Sequence, residues 1–210
     1  MESSDWVTLL MVGCIVLLTL AKHFYPRRFQ EFVMLPLTNK YFALQGKNDT
    51  IEHPFNVLLF FCQAISVSLL VYLLFKSADP VFVGNSDWLF VQILTGYTVF
   101  VLVKYCIEKI VGNVFSIDTI VNNYLYQKLS YRNFLAIVVF LANLIFFYVV
   151  MPTRTTLYIF VAILVVLNGI ALFYSYKKNT SVIFGHFFYF ILYLCALEIS
   201  PYIILYKALV

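Results

Sequence analysis

Six apolar stretches, each near or above the length that crosses a lipid bilayer, constrain this chain more than any other feature. They run Trp6–Ala21, Phe55–Phe75, Trp88–Val103, Phe134–Met151, Leu157–Tyr176 and Val182–Tyr206. A transmembrane helix needs about 20 mainly apolar residues. The first and third stretches fall short, but each gains a turn from its flank, Lys22–Tyr25 or Lys104–Ile110. Lysine snorkels and tyrosine suits the interface, so both flanks extend a span without penalty. Composition agrees, since only 11% of the 210 residues are charged and 63% are hydrophobic, against about 25% charged in soluble domains. The expected fold is all-α: a polytopic helical membrane protein of about six transmembrane helices, forming one domain over residues 1–210.

The basic residues set the threading. Residues 22–54 carry Lys22, Arg27, Arg28, Lys40 and Lys47, and residues 104–133 carry Lys104, Lys109, Lys128 and Arg132. Lys177 and Lys178 follow the fifth stretch, while the opposite side holds only Lys76, Arg154 and Lys207. Eleven against three, alternating across all six stretches, places the basic side in the cytoplasm. Both termini are then expected to be periplasmic. Trp6–Ala21 has acidic residues before it and basic ones after, with no small-x-small cleavage site, so it reads as an anchor. Pro152–Thr156 and Lys177–Ser181 are short enough to make the fourth, fifth and sixth stretches successive antiparallel neighbours.

The two longer cytoplasmic connections carry helical patterns of their own. Phe29, Phe32, Val33 and Leu35 lie near helical spacing beside Arg27 and Arg28, and Pro36 should end that helix. Ile107–Leu129 repeats the theme, with Asp118 as a helix cap. Both read as short amphipathic helices in the headgroup region, held to anionic lipid by Arg27, Arg28, Lys109 and Lys128. The alternative is a pair of cytoplasmic helices packed under the bundle.

Polar residues inside the stretches are few. Glu198, beside Ser200 and Pro201, is the one acid well inside an apolar stretch, where a carboxylate is costly. Pro201 should bend the helix near it. An acid at a kink could relay protons or bind a cation; equally, a neutral Glu198 could hydrogen-bond between helices. Gln63, Asn143 and Asn168 would all sit about 12–14 Å from the cytoplasmic surface. A layer of amides at one depth fits interhelical packing better than a substrate path. Glu198, about 24 Å from that surface, falls outside the layer.

Several chemistries lack their residues. There is no Gly-rich phosphate loop, no H-E-x-x-H and no G-x-S-x-G, and no Asp lies within a stretch. Cys14, Cys62, Cys106 and Cys195 are dispersed without C-x-x-C spacing and behave as small hydrophobes. His23, His53 and His186 sit at one boundary without a ligand motif, so no metal or cofactor is expected. The net charge of +4 contains no run of five like charges, which argues against nucleic acid.

Short motifs carry a resemblance: Lys40-Tyr-Phe42, His53-Pro-Phe-Asn56, Tyr131-Arg-Asn133, and Tyr193 to Pro201 with Lys207. The chain resembles an uncharacterised integral-membrane family of Bacteroidota, a domain of unknown function. The resemblance implies a bacterial inner membrane and brings no activity or catalytic residue with it. The expected function is non-enzymatic: a subunit or accessory or assembly factor of a cell-envelope complex. Its expected partners are the bilayer, anionic headgroups and other membrane proteins. The alternative is a small proton-coupled transporter or channel component using Glu198.

Overall fold

The computed structural model describes residues 5–35, 53–78, 83, 88–114, 118–150 and 152–183. They form six helices: α1 (Asp5–Phe24), α2 (Pro26–Val33), α3 (Pro54–Ala78), α4 (Leu89–Val114), α5 (Asp118–Tyr148) and α6 (Arg154–Ile183). No strand occurs among the described residues, and the architecture is an all-α bundle. Helices α1, α3, α4 and α5 are each long and apolar enough to cross a membrane. Helix α6 adds a shorter apolar stretch over Arg154–Ile170.

Local chemistry explains the helix starts. Pro26 and Pro54 open α2 and α3, at positions where a missing N–H and a fixed φ cost nothing. His53 caps α3, its Nδ1 accepting a 3.2 Å bond from the Phe55 N–H. Thr153 caps α6 in the same way, its Oγ1 accepting from the Thr156 N–H at 3.3 Å. At the far end of α3, the Arg154 guanidinium donates to the carbonyls of Ser77 and Ala78. A cation on the last carbonyls of a helix satisfies orphan acceptors and opposes the negative end of its dipole.

The centre of the bundle is the pair α3 and α5, which run parallel. Phe55, Leu59, Cys62, Ser66, Leu69 and Leu73 of α3 are all buried, at alternating spacings of four and three. On α5, Tyr126, Ser130, Asn133, Ala136, Phe140 and Asn143 form the matching buried stripe. Spacing of this kind keeps one seam on each helix facing its partner. Small residues in the seam let backbones come close. The hydroxyls of Ser66 and Ser130 bond back to the carbonyls of Cys62 and Tyr126 at 2.8 Å, so neither stands unpaired in the core.

Around this pair, α1 packs through Val7, Met11 and Cys14 against Cys62, Leu69 and Phe140. Helix α6 packs through Leu157 against Leu70, Leu73 and Val139. Helix α4 lies against both α3 and α5. Helix α2 tucks beneath the bundle, where Phe32 and Leu35 join Ala21, Phe55, Leu59 and Tyr126 in one cluster. The aromatic trio Trp6, Tyr72 and Phe90 gathers at the opposite end, with ring centroids 5.1 to 6.4 Å apart.

Two readings of the connections change. The stretch 107–129 is not a separate helix lying across the bundle. Its first part continues α4 to Val114, and its second part begins α5, which runs unbroken to Tyr148. No proline or glycine interrupts residues 118–148, so nothing stops the span from extending. Lys177–Ser181, expected as a tight link, is helical and belongs to α6. It too lacks a helix breaker. Of the sixth stretch, Val182–Tyr206, only 182 and 183 fall within the described residues, as the end of α6.

Helices α4 and α5 come close together at Gly112. A Cβ placed there would stand 3.2 Å from Val121 Cβ and Cγ1. Val121 is buried and stiff at χ1, so it has little room to turn away. Gly112→Ala is expected to lower the unfolding temperature, because crowding of about 1–3 kcal/mol outweighs a propensity gain of about 1 kcal/mol. Adding Val121→Ala should recover much of the crowding loss. A single variant as stable as the parent would show that the helices part without cost.

Candidate functional site

Among the described residues, a buried ion pair sits between α4 and α5. Helix α4 contributes Lys104, Tyr105 and Glu108 from its last turns, and α5 contributes Tyr124, Lys128 and Arg132. Within each helix the charged residues stand four apart, so each pair lies on one face. The two faces meet. Lys128 Nζ donates to Glu108 Oε1 at 2.7 Å, with the side chains only 11% and 3% exposed. Lys128 Nζ also lies 5.4 Å from the centre of the Tyr124 ring, and Lys109 Nζ lies 5.7 Å from that of Tyr105.

A partly open cleft of about 40 Å³ sits beside the pair. Val101, Leu125 and Leu129 form its apolar walls, and Lys104, Tyr105, Glu108, Lys128 and Arg132 supply its polar lining. Three cations therefore surround one carboxylate. Taking such a pair out of water costs several kcal/mol per ion, and close geometry with further hydrogen bonds must offset it. Two polar groups of the lining residues, Arg132 Nε and the Tyr105 hydroxyl, are buried and make no hydrogen bond among the described residues. A buried donor left unmet costs about 1–3 kcal/mol.

A second polar zone lies higher in the bundle. Gln63 Nε2 donates to the Tyr97 hydroxyl at 2.5 Å, joining α3 to α4. Asn143 Nδ2 donates to the Ser66 carbonyl at 2.8 Å, joining α5 to α3. Gln63 and Asn143 are fully buried, whereas Asn168 is half-buried on α6. Each of the two enclosed amides thus ties a different pair of helices. Asn133 is buried as well, and its amide makes no bond among the described residues.

The basic residues expected at the headgroups have different surroundings. Arg27 is largely exposed and pairs with Glu31 at 3.7 Å, an arrangement worth little in water. Arg28 lies on α2 beside it, and Lys109 is exposed on α4. Lys128 turns inward to Glu108. His23 packs on Phe24, and His53 is the α3 cap against the Tyr25 ring. No group of three potential metal ligands occurs among the described residues. Glu198, Ser200, Pro201 and His186 lie outside the described residues.

Glu108 is the residue that reading the chain passed over. In the sequence it lies in the flank of the third stretch, where charge is ordinary. Its signal is a symmetry about residue 118: Glu108 and Lys128 are equally far from it, as are Lys104 and Arg132. If the chain turns back near that point, the charges face one another.

No curated protein and no solved structure matches the chain. Residues 7–209 match the family described as a domain of unknown function, DUF4271, and the chain belongs to it.

Proposed function

We propose that this is a non-enzymatic multi-pass protein of a bacterial inner membrane, working as a subunit or assembly factor of a cell-envelope complex. In this reading α2 and the α4–α5 hairpin face the cytoplasm, as the eleven-to-three distribution of basic residues favours. The observation that carries it is how the interior polar groups are used. Glu108–Lys128, Gln63–Tyr97, Asn143–Ser66 and the Arg154 contact to α3 each join one helix to another. Such bonds lock a framework; they do not converge on a reacting atom. A small, rigid bundle of this kind is suited to presenting helix faces to other membrane proteins.

The test is capture of the tagged full chain from its native membrane in mild detergent. A defined membrane protein recovered in stoichiometric amount is the expected result. The same cells would carry Glu198→Gln, which keeps the hydrogen-bonding shape of a neutral acid. Under the subunit reading this variant assembles and supports growth normally. A chain that purifies alone, with Glu198→Gln abolishing its cellular phenotype but not its folding, would overturn the reading in favour of proton-coupled transport.

A further inference from the structure

We propose that the α4–α5 cleft is a binding site for a phosphate group, held by Lys104, Lys128 and Arg132 with the Tyr105 hydroxyl. The first support is charge. The lining residues Lys104, Lys128 and Arg132 outnumber the one lining carboxylate, Glu108, in a cleft with apolar walls. Lys128, which also lines the cleft, is held by Glu108 at 2.7 Å. An anion entering there gains from a surplus that water screens weakly.

The second support is unmet hydrogen bonding. Arg132 and Tyr105 both line this cleft, and the Arg132 Nε and the Tyr105 hydroxyl are buried with no partner among the described residues. Both can donate. A guanidinium from one helix and a hydroxyl from the other, both belonging to residues beside one small space, match the several acceptor oxygens of a phosphate. The volume of about 40 Å³, partly open, leaves room for a compact anionic group whose substituent points outward. The third support is location, between two helices each long and apolar enough to cross a membrane, with Lys104 and Glu108 about 22–28 Å along α4 from its start, near the far side of an apolar layer about 30 Å thick. The site goes beyond the subunit reading and does not depend on it.

The phosphate could belong to an anionic lipid or to a soluble molecule, and the experiment separates them. The full chain is reconstituted in phosphatidylcholine nanodiscs, with and without phosphatidylglycerol, and its unfolding temperature is followed. Inorganic phosphate is titrated into the phosphatidylcholine discs. Stabilisation by phosphatidylglycerol is the expected result and assigns a lipid; stabilisation by inorganic phosphate alone assigns a soluble ligand. Either response should weaken about tenfold or more in apparent affinity for Arg132→Gln.

Tyr105→Phe keeps the ring beneath Lys109 and decides the matter should Arg132→Gln fail to fold. Removing an unpaired buried hydroxyl should leave the ligand-free protein as stable as the parent, or more so, while reducing the response about threefold or more. Arg27→Gln, which removes one charge from the same end but outside the cleft, should respond as the parent does. The proposal is overturned if neither probe stabilises the parent. It is equally overturned if Tyr105→Phe and every folded Arg132 variant respond as fully as the parent.

Discussion

Glu108→Leu is expected to destabilise the protein by about 3–5 kcal/mol, the cost of leaving one member of a buried ion pair uncompensated. Here the penalty has a direction. Removing Glu108 strands Lys128 beside Lys104 and Arg132, three like charges around one cleft. Lys128→Met instead leaves Glu108 with two cations still near, so its cost should be distinctly smaller. The double variant Glu108→Leu/Lys128→Met removes both ions together and should recover most of the loss, because a well-packed apolar pair is often as stable as a buried ionic one. Unfolding of the purified protein, titrated with denaturing detergent, measures all three. Equal single effects that simply add in the double variant would show that the two charges do not interact.

Phe32→Ala should have the second large effect, confined to one end of the bundle. Phe32 is fully buried, with ring centroids 5.9 Å from Phe55 and 6.2 Å from Phe134. Truncating a buried Phe costs about 3–5 kcal/mol. Since α2 has only eight residues, it is far too short to persist as a helix alone. Amide exchange in residues 26–33 should therefore become fast, while the seam of α3 and α5 stays protected. Arg27→Gln with Arg28→Gln should change exchange much less, because lipid attraction contributes about 1 kcal/mol or less per basic residue. If the arginine pair loosens α2 more than Phe32→Ala does, the headgroups hold this helix and the aromatic cluster does not.

The helices of this fold were legible because apolar length is a strong signal. The flank residues Lys22–Tyr25 and Lys104–Ile110 extend their helices as snorkelling predicts, giving Asp5–Phe24 and Leu89–Val114. Pro26 and Pro54 mark real starts, and α2 closes at Val33, before Pro36. What local pattern could not settle was whether a run of helical spacing is a new helix or the continuation of one. The apolar spacing of 118–129 looks the same either way, and only the unbroken helix Asp118–Tyr148 shows that it is the root of α5.

The polar site was harder to read for a related reason. Lys104, Glu108, Lys128 and Arg132 are unexceptional one at a time, each at the end of an apolar stretch where charge is common. Their meaning comes from the pairing of two helices, which depends on the turn between them. Gln63 and Asn143 stood out individually as amides in apolar surroundings. Their partners did not, because a tyrosine hydroxyl and a backbone carbonyl leave no mark in composition. Asn133 was read as part of a short motif, and its burial in the central seam emerges only from the structure.

The unbroken length of α5 has a mechanical consequence. Its 31 residues make a rod about 46 Å long. Helices bend sharply at proline, at Gly/Ser pairs or at inserted turns, and residues 118–148 contain neither proline nor glycine. The rod is thus a lever without a joint. Lys128 and Arg132 sit on one arm, Asn143 stands against the central pillar, and Tyr148 reaches Thr8 at the other tip. A tilt of about 4° imposed where the charges gather would carry the far tip, about 27 Å along the rod, by about 2 Å, enough to part the 2.7 Å bond between Tyr148 and Thr8. Whatever grips one side of this bundle is felt on the other.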